Sequence, residues 1–285
     1  MRPDGAHHVS ARRSVAYGDV VDTPGADVVR LAEYYSSRSD AYQRWWGGVL
    51  LPANQELLAR LSLADARAVL DVGSGIGALL ASIAVAAPSA RVVAADRAEG
   101  MLRRAPDTFP RLVVDAHELP FRSASFDVAI LAFMVQHLND PAHAFGEIER
   151  VLRPGGRIGI TMWGARADAP ALAIWNAELD RLGAPNAAPF VQQAESVDTA
   201  QTIGDLLSAA GFDSIDVRPI VWVDQPDVET FIRRHTTLGA GSRRLAQLDS
   251  STQTRFLMRI RRRLQSSPPQ DFRDESQVLG AVATA

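Results

Sequence analysis

Residues 69–77, with the sequence VLDVGSGIG, decide the fold that we predict for this chain. The apolar run is typical of a buried strand, and it stops at a turn that contains Gly73, Gly75 and Gly77. Residues 78–87 (ALLASIAVAA) then predict a helix that ends before a proline. Because glycine has no Cβ, the backbone can lie directly against a ligand here, and the amides that open the helix favour a negatively charged group. A strand, a glycine loop and a helix in this order predict a nucleotide-type cofactor site.

The glycine pattern alone leaves the cofactor open. The relaxed dinucleotide fingerprint also matches it, so a nicotinamide cofactor and a ligand-free tight turn are both alternatives at this point. A second predicted strand, residues 91–96, ends in Asp96, which follows Asp71 by 25 residues. A carboxylate in this position can accept hydrogen bonds from both hydroxyls of a ribose, each worth roughly 1.5–3 kcal/mol. Asp96 does not separate the cofactors, since nicotinamide and other adenosine cofactors all carry that ribose.

Composition excludes several kinds of chemistry. With 47% hydrophobic residues, 22% charged residues and a net charge of -3, the chain is typical of a soluble globular protein without a basic field for nucleic acid or membranes. The absence of cysteine excludes thiol catalysis, disulfides and cysteine-ligated metal sites, and we expect no metal. All 30 basic residues are arginine, which excludes Schiff-base chemistry. Because the chain has no signal-peptide pattern and no apolar run near the roughly 20 residues that span a bilayer, we expect a cytoplasmic protein.

Further elements along the chain extend the pattern of the first strand and helix. Before the glycine loop, residues 41–61 predict a helical segment that Pro52 interrupts. A third strand lies in the stretch that begins at Leu112, and residues 126–133 are the buried run of a fourth. A helix begins at Asn139-Asp140-Pro141 and ends at residues 153–156 (RPGG), and residues 157–163 form a fifth strand. Pro219 suggests that residues 214–223 form an edge or bulged strand. This order predicts an open parallel sheet with helices on both faces.

Six motifs in sequence resemble one family. They are DVGSGIG (71–77), the acid at 96, DAHELPF (115–121), FDVAILAF (126–133), VQHLND (135–140) and ERVLRPGGR (149–157). Together they resemble the class I S-adenosylmethionine-dependent methyltransferases, in the small-molecule, ubiquinone-type branch of methyltransferase type 11. The resemblance covers about residues 30–165, and a nicotinamide-dependent dehydrogenase would not be expected to carry LPF together with RVLRPGG.

The resemblance implies an α/β fold of Rossmann-like type. The open sheet would be mainly parallel with an antiparallel last strand and would carry helices on both faces. It would also bear a helical lid and insertions, one of them at 227–264 between the sixth and the last strand. The domain limits that we expect are a flexible tail at 1–25, a helical lid at 26–62, a cofactor-binding core at 63–165, and substrate cap elements with the last strands at 166–285.

The resemblance also implies roles for named residues. Asp71 and the backbone of the glycine loop would hold the methionine part of S-adenosyl-L-methionine (SAM), and Asp96 its ribose. Tyr34, Tyr35, Arg38 and Tyr42 would close over the site as a lid, unless the aromatic residues only pack the helices. The complete set of expected cofactor-binding residues is Tyr34, Arg38, Asp71, Gly73, Ser74, Gly75, Gly77, Asp96, Arg97, Met101, Asp115, Ala116, His117, Phe133 and Met134.

His137 is the candidate general base, because it follows the fourth strand at the edge of the sheet where ligands enter. A base would add roughly 10²- to 10⁴-fold, and only for an acceptor that must lose a proton. The alternative is that His137 caps the turn before Asp140 or orients the lid. Many relatives carry a histidine pair here, whereas Gln136 replaces the first one in this chain. We expect His143 and His235 to face solvent.

We expect the acceptor to be a small hydrophobic or aromatic molecule, methylated on oxygen, nitrogen or carbon, in natural-product biosynthesis. Candidate pocket walls, each equally compatible with a core position, are Met134, Met162, Trp163, Trp175 and Phe190. The basic residues between Arg255 and Arg263 indicate a solvated helix face. We therefore expect no nucleic-acid or membrane partner, and a monomer or homodimer. The alternatives are a SAM-binding fold without methyl transfer, such as a cyclase or partner subunit, and an NAD(P)-dependent oxidoreductase.

Overall fold

A computed structural model describes residues 26–167, 169–190 and 197–285 of the chain. The expected tail at 1–25 lies outside these residues. Seven strands form one sheet in the order β3-β2-β1-β4-β5-β7-β6. The strands are β1 Ala68–Val72, β2 Arg91–Asp96, β3 Arg111–Val113, β4 Phe126–Ala132, β5 Leu152–Trp163, β6 Asp213–Ile220 and β7 Val278–Thr284.

The first five strands pair in parallel, and β7 runs antiparallel to both β5 and β6. The predicted Rossmann-like sheet with an antiparallel last strand is therefore confirmed. The apolar runs of β1 and β4 are buried because helices cover both faces of the sheet, as is usual for parallel sheets. Pro219 had suggested an edge or bulged strand, and β6 is an edge strand whose register shifts between Asp213 and Asp216.

Eleven α-helices lie in the described part of the chain. They are α1 Ala26–Ser36, α2 Ser39–Trp45, α3 Leu51–Arg60, α4 Leu80–Ala86, α5 Glu99–Leu102, α6 Pro141–Val151, α7 Pro170–Arg181, α8 Ala200–Ala209, α9 Val228–Thr237, α10 Gly239–Leu245 and α11 Ser250–Gln265. Helix α6 begins as predicted, with Pro141 in its first turn and the Asp140 carboxylate accepting a hydrogen bond from the His143 amide at 3.0 Å. Two short 3-10 helices, Val135–His137 and Pro269–Phe272, complete the set.

Two boundaries differ from the sequence prediction. Residues 41–61 had been expected to form one helical segment interrupted by Pro52, but Pro52 lies in the first turn of α3. Proline is tolerated there, since an amide in that turn has no partner within the helix. Residues 153–156 had been expected to end α6 before the fifth strand, but α6 ends at Val151 and β5 begins directly at Leu152.

Helices α9, α10 and α11 lie between β6 and β7, as expected for an insertion at 227–264, and they build a hydrophobic core of their own with α7. Trp175 is fully buried in this core and Met162 is 2% exposed in a core cluster on the sheet, so neither lines the pocket. The prediction that His235 faces solvent is wrong. Its ring stacks on Phe231 with 4.0 Å between centroids, because the aromatic residues of α7, α9 and α11 meet there.

No helix among the described residues is long and apolar enough to cross a membrane. Three of the five arginines of α11 pair with acidic neighbours, which agrees with a structural role for that basic face. Arg259 and Arg263 both contact the buried Glu178 carboxylate, and Arg261 pairs with Glu229.

Candidate cofactor and acceptor site

A pocket lies at the carboxyl ends of β1, β2 and β4 and is covered by residues of α1 to α3. In open α/β sheets this edge is the usual place for a ligand, because the loops that leave the strands diverge there. Its floor includes the glycine loop after β1, and its cover includes Val28, Leu31, Tyr35 and Tyr42.

The glycine loop has a backbone conformation that other residues rarely adopt. Gly73 has φ of 74°, and a Cβ at this position would lie 2.7 Å from the Met134 Cβ. The Gly73 and Ser74 amides both donate to the Ala95 carbonyl, at 2.7 and 3.0 Å, which ties the loop to β2. Glycine is therefore required at position 73 by both the turn and the close approach of a neighbour.

Asp71 is the most unusual group in the pocket. The residue is 1% exposed, and neither carboxylate oxygen has a hydrogen-bond partner among the described residues. Burial, with a contribution from Asp96, raises the pKa of Asp71 to about 7. A buried carboxylate without a partner is costly, and a positively charged ligand group would supply both the missing hydrogen bonds and the missing charge. The nearby Ser74 hydroxyl is also buried without a partner in the described chain.

Asp96 lies at the end of β2 and braces the glycine loop. Its two carboxylate oxygens accept hydrogen bonds from the Gly75 and Ala98 amides, each at 2.7 Å. Burial raises the pKa of Asp96, and these backbone hydrogen bonds oppose the rise. Since each carboxylate oxygen can accept more than one hydrogen bond, the residue retains acceptor capacity toward the pocket.

The residues that follow β2 and β3 meet at one end of the pocket. Arg97 forms an ion pair with Asp115, and the Asp115 carboxylate also contacts Nδ1 of His117 at 2.8 Å. Burial and the charge of Arg97 lower the pKa of His117. Met101 and Ala116 complete this end of the lining.

The first helices pack on the loop as a cover. The Gly100 amide donates to the Ser36 hydroxyl at 3.2 Å, and Asp40 forms an ion pair with Arg104. Tyr35 and Tyr42 line the pocket, and burial raises the pKa of Tyr42 to about 12.

Three of the residues expected to bind the cofactor do not line the pocket. The Tyr34 hydroxyl is 2.9 Å from the Ser242 hydroxyl, and its ring lies 4.9 Å from the Phe190 ring. The Arg38 guanidinium lies over the same Tyr34 ring. Gly77 instead forms the turn into α4, where it packs against Leu80 and Ala105.

His137 ends the short 3-10 helix after β4 and is held by the cover. Its Nε2 atom lies 3.3 Å from the Tyr35 hydroxyl. Burial lowers the pKa of His137 to about 4, so the ring is neutral near pH 7. Phe133, just before this helix, has φ of 53°, a left-handed conformation that is uncommon for an aromatic residue and is often found at functional sites.

Sequence reasoning missed Asn54 and Trp46, which both line the pocket. Asn54 is 8% exposed, and its Oδ1 accepts a hydrogen bond from the buried Thr161 hydroxyl at 2.6 Å. The Trp46 indole nitrogen is buried without a partner in the described chain. The sequence did contain one signal for Asn54, because it is the single amide side chain among the apolar residues of α3 that face the sheet. The residues described by the structure contain no group of three or more His, Cys, Asp or Glu side chains that could hold a metal ion.

Comparison with known proteins identifies relatives of this chain. A family model described as a methyltransferase domain matches residues 70–160. A demethylmenaquinone methyltransferase of Clavibacter sepedonicus is 31% identical over 229 residues, which is 70% of this chain and 87% of that protein. A malonyl-[acyl-carrier protein] O-methyltransferase of Geobacter sulfurreducens is 33% identical over 181 residues, which is 61% of this chain and 66% of that protein.

Among solved structures, the fold matches a phosphoethanolamine N-methyltransferase 2 of Haemonchus contortus in complex with S-adenosyl-L-methionine. The TM-score is 0.55 with 20% identity, and the match covers 90% of this chain and 59% of that one. At this identity the comparison shows the fold alone.

Proposed function

Since the chain belongs to the class I SAM-dependent methyltransferases, we propose that it transfers the methyl group of SAM to a small, largely apolar acceptor. The family decides between the two cofactors that the glycine loop had left open, in favour of SAM. The family establishes the cofactor and the methyl transfer, and our proposal concerns the chemical nature of the acceptor.

The pocket residues fit SAM. Asp71 would hold the ammonium group of the methionine part, because it is a buried carboxylate without a partner in the described chain. Asp96 would accept from the ribose with the lone pairs that Gly75 and Ala98 leave free. Arg97, Met101, Asp115, Ala116 and His117 lie together after β2 and β3, where they would surround the adenine. The unpartnered carboxylate of Asp71 is the single observation that carries this assignment.

When bound, SAM supplies a methyl group on a positively charged sulfur atom, which needs no further activation. The protein's task is therefore to hold the acceptor in line with that group and to keep water away. Alignment of this kind can lower a barrier by about 7–11 kcal/mol. Tyr35 and Tyr42 cover the pocket, and Phe133 and Met134 close it beside β4, so these four side chains would exclude water.

We assign His137 two possible contributions that depend on the acceptor. A neutral imidazole can take a proton from a hydroxyl or an acidic carbon, and burial keeps this imidazole neutral. Its contact with the Tyr35 hydroxyl also fits the alternative, in which His137 orients the cover. For an acceptor that keeps its proton until after methyl transfer, His137 would only orient the cover.

The apolar cover supports a hydrophobic acceptor. Val28 and Leu31 of α1, with Leu50 and Leu51 at the start of α3, line the pocket with apolar side chains. The relative from Clavibacter sepedonicus is named for demethylmenaquinone, so we include naphthoquinols among the acceptors to be tested.

Methyl transfer is tested by incubating the purified protein with methyl-labelled SAM and a panel of phenols, naphthoquinols, aromatic amines and phosphoethanolamine. We expect S-adenosylhomocysteine (SAH) to accumulate and the label to enter an apolar aromatic acceptor. Labelling of phosphoethanolamine alone would contradict the proposed acceptor class. Tight SAM binding without SAH formation across the panel would favour the alternative of a SAM-binding fold that does not transfer methyl groups.

A further inference from the structure

Asn54 occupies a position in the pocket that the cofactor assignment leaves unused. Its partner Thr161 lies on β5 in register with Ala132 of β4, and the Thr161 carbonyl accepts a hydrogen bond from the Phe133 amide at 2.8 Å. The residues assigned to the methionine, ribose and adenine parts of the cofactor lie at or just after the ends of β1, β2 and β3, and the strand order places β4 and then β5 on the other side of β1. Asn54 therefore lies beyond the methionine end of the cofactor site, on the side where the acceptor must enter.

The contact with Thr161 fixes which way the Asn54 amide points. Thr161 is fully buried, and its hydroxyl has no partner in the described chain other than Asn54 Oδ1. Turning the amide over would leave the Thr161 hydroxyl proton without an acceptor, which costs more than the bond is worth. The amide oxygen is thus occupied. Nδ2 makes no hydrogen bond to a described residue and is not one of the fully buried side-chain atoms that lack a partner, so it is accessible from the pocket.

The neighbours of Asn54 and Thr161 in the helix and in the sheet are apolar. Leu50 and Leu51 lie one turn before Asn54, Ala132 and Phe133 lie beside Thr161, and all four residues line the pocket. An acceptor that covers Nδ2 would bury this donor, which is costly unless the acceptor supplies a hydrogen-bonding atom of its own.

We propose that Asn54 is a specificity-determining residue that donates a hydrogen bond from Nδ2 to an oxygen atom of the methyl acceptor. The acceptor class narrows accordingly to an apolar molecule that carries a carbonyl, phenolic or similar hydrogen-bond-accepting oxygen near the methylated atom. Thr161 is the positioning residue, because its hydroxyl holds the amide in the donating orientation. This inference extends the proposed function and depends on it.

The test uses full-length protein saturated with SAH and a matched pair of probes, 1-naphthol and 1-methylnaphthalene. The probes have nearly the same shape, but only the first carries an oxygen. In a pocket without a polar partner the methyl compound binds more tightly, since the hydroxyl loses its hydrogen bonds to water. With Asn54 in place we expect 1-naphthol to bind roughly three- to tenfold more tightly than 1-methylnaphthalene, measured by equilibrium dialysis.

The variants are chosen so that folding does not obscure the result. Asn54→Leu alone strands the Thr161 hydroxyl, whereas the double variant Asn54→Leu/Thr161→Val replaces both partners with apolar groups of similar shape and is expected to remain folded. The double variant should lose the preference for 1-naphthol, and Thr161→Val alone should weaken it. Both proteins should bind SAH within about twofold of the original chain, whereas Asp71→Asn should not.

Three results would overturn the inference. A loss of SAH affinity of about tenfold or more in the folded double variant would place Asn54 in the cofactor site. Equal binding of the two probes by the original protein would refute the proposed hydrogen bond from Asn54 to the acceptor. An undiminished preference for 1-naphthol in the double variant would refute it as well. Failure of the original protein itself to bind SAH would contradict the proposed function, and is thereby distinguished from failure of the Asn54 assignment.

Discussion

The buried carboxylate of Asp71 should destabilise the ligand-free protein at neutral and alkaline pH. Burial raises the pKa of Asp71 from 3.8 to about 7. The folded protein therefore holds this proton more tightly than the unfolded chain does, so stability falls as pH rises from about 4 to 7 and stays low above that. Each pH unit of that interval lowers the free energy of unfolding by about 1.36 kcal/mol, so the total loss is at most about 4 kcal/mol.

The perturbation is Asp71→Asn, which removes the charge and keeps the shape. We expect the ligand-free variant to have a free energy of unfolding about 2–4 kcal/mol greater than the original protein at pH 8, and nearly the same one at pH 4. Urea denaturation at both pH values measures this difference. The same variant should bind SAH roughly 10- to 100-fold more weakly, because a charge-assisted hydrogen bond contributes about 1.5–3 kcal/mol.

Asp127 provides a control with the opposite sign. It accepts hydrogen bonds from the Arg67 and Ala68 amides at 2.6 and 2.8 Å, and its contacts with Arg153 and these amides lower its pKa. Asp127→Asn should therefore destabilise the protein at pH 8 and leave SAH affinity unchanged. If Asp71→Asn were as destabilising as Asp127→Asn at pH 8, Asp71 would have a partner in the folded protein and the reasoning would be refuted.

Three further predictions concern the loop, the histidine and the cap. Gly73→Ala should abolish SAH binding and cost about 1–3 kcal/mol of stability, since φ is 74° and the new Cβ would meet Met134; unchanged calorimetric affinity would contradict this. The His137 ring should remain neutral down to a pH of about 4, and Tyr35→Ala should raise its pKa by admitting water; NMR titration of a ring that already charges near pH 6.5 in the original protein would refute its burial. Glu178→Gln should cost roughly 2 kcal/mol in thermal unfolding, because the fully buried carboxylate holds Arg181, Arg259 and Arg263; an unchanged melting temperature would show that these contacts are not formed in solution.

Much of the fold could be predicted from local patterns. The β1 segment and its glycine loop have a clear periodicity and turn chemistry, and the helix cap at Asp140 depends on its immediate neighbours. Pro219 indicated an edge strand because proline cannot donate a hydrogen bond to a neighbouring strand. The antiparallel β7 came from the family resemblance, because no local pattern indicates the direction in which a final strand pairs.

The errors concern side chains whose surroundings come from distant parts of the chain. Trp175 and His235 could not be placed, since the core that buries them forms only when α7, α9 and α11 pack together. Tyr34 and Tyr35 are adjacent in α1, and helical geometry turns one toward Ser242 and the other toward His137. Asn54 was missed because Thr161, whose hydroxyl orients the Asn54 amide, is 107 residues away in the chain.

Calorimetric titration of the purified protein with SAM, SAH and NADH, repeated in buffers of different ionisation enthalpy, tests the central claim most directly. We predict micromolar binding of both adenosyl ligands and none of NADH. Near pH 7, binding should release about half a proton as the positive charge of the ligand lowers the pKa of Asp71. Binding of NADH in place of SAM and SAH, or SAM binding without proton release, would contradict the assignment of Asp71 to the charged end of the cofactor.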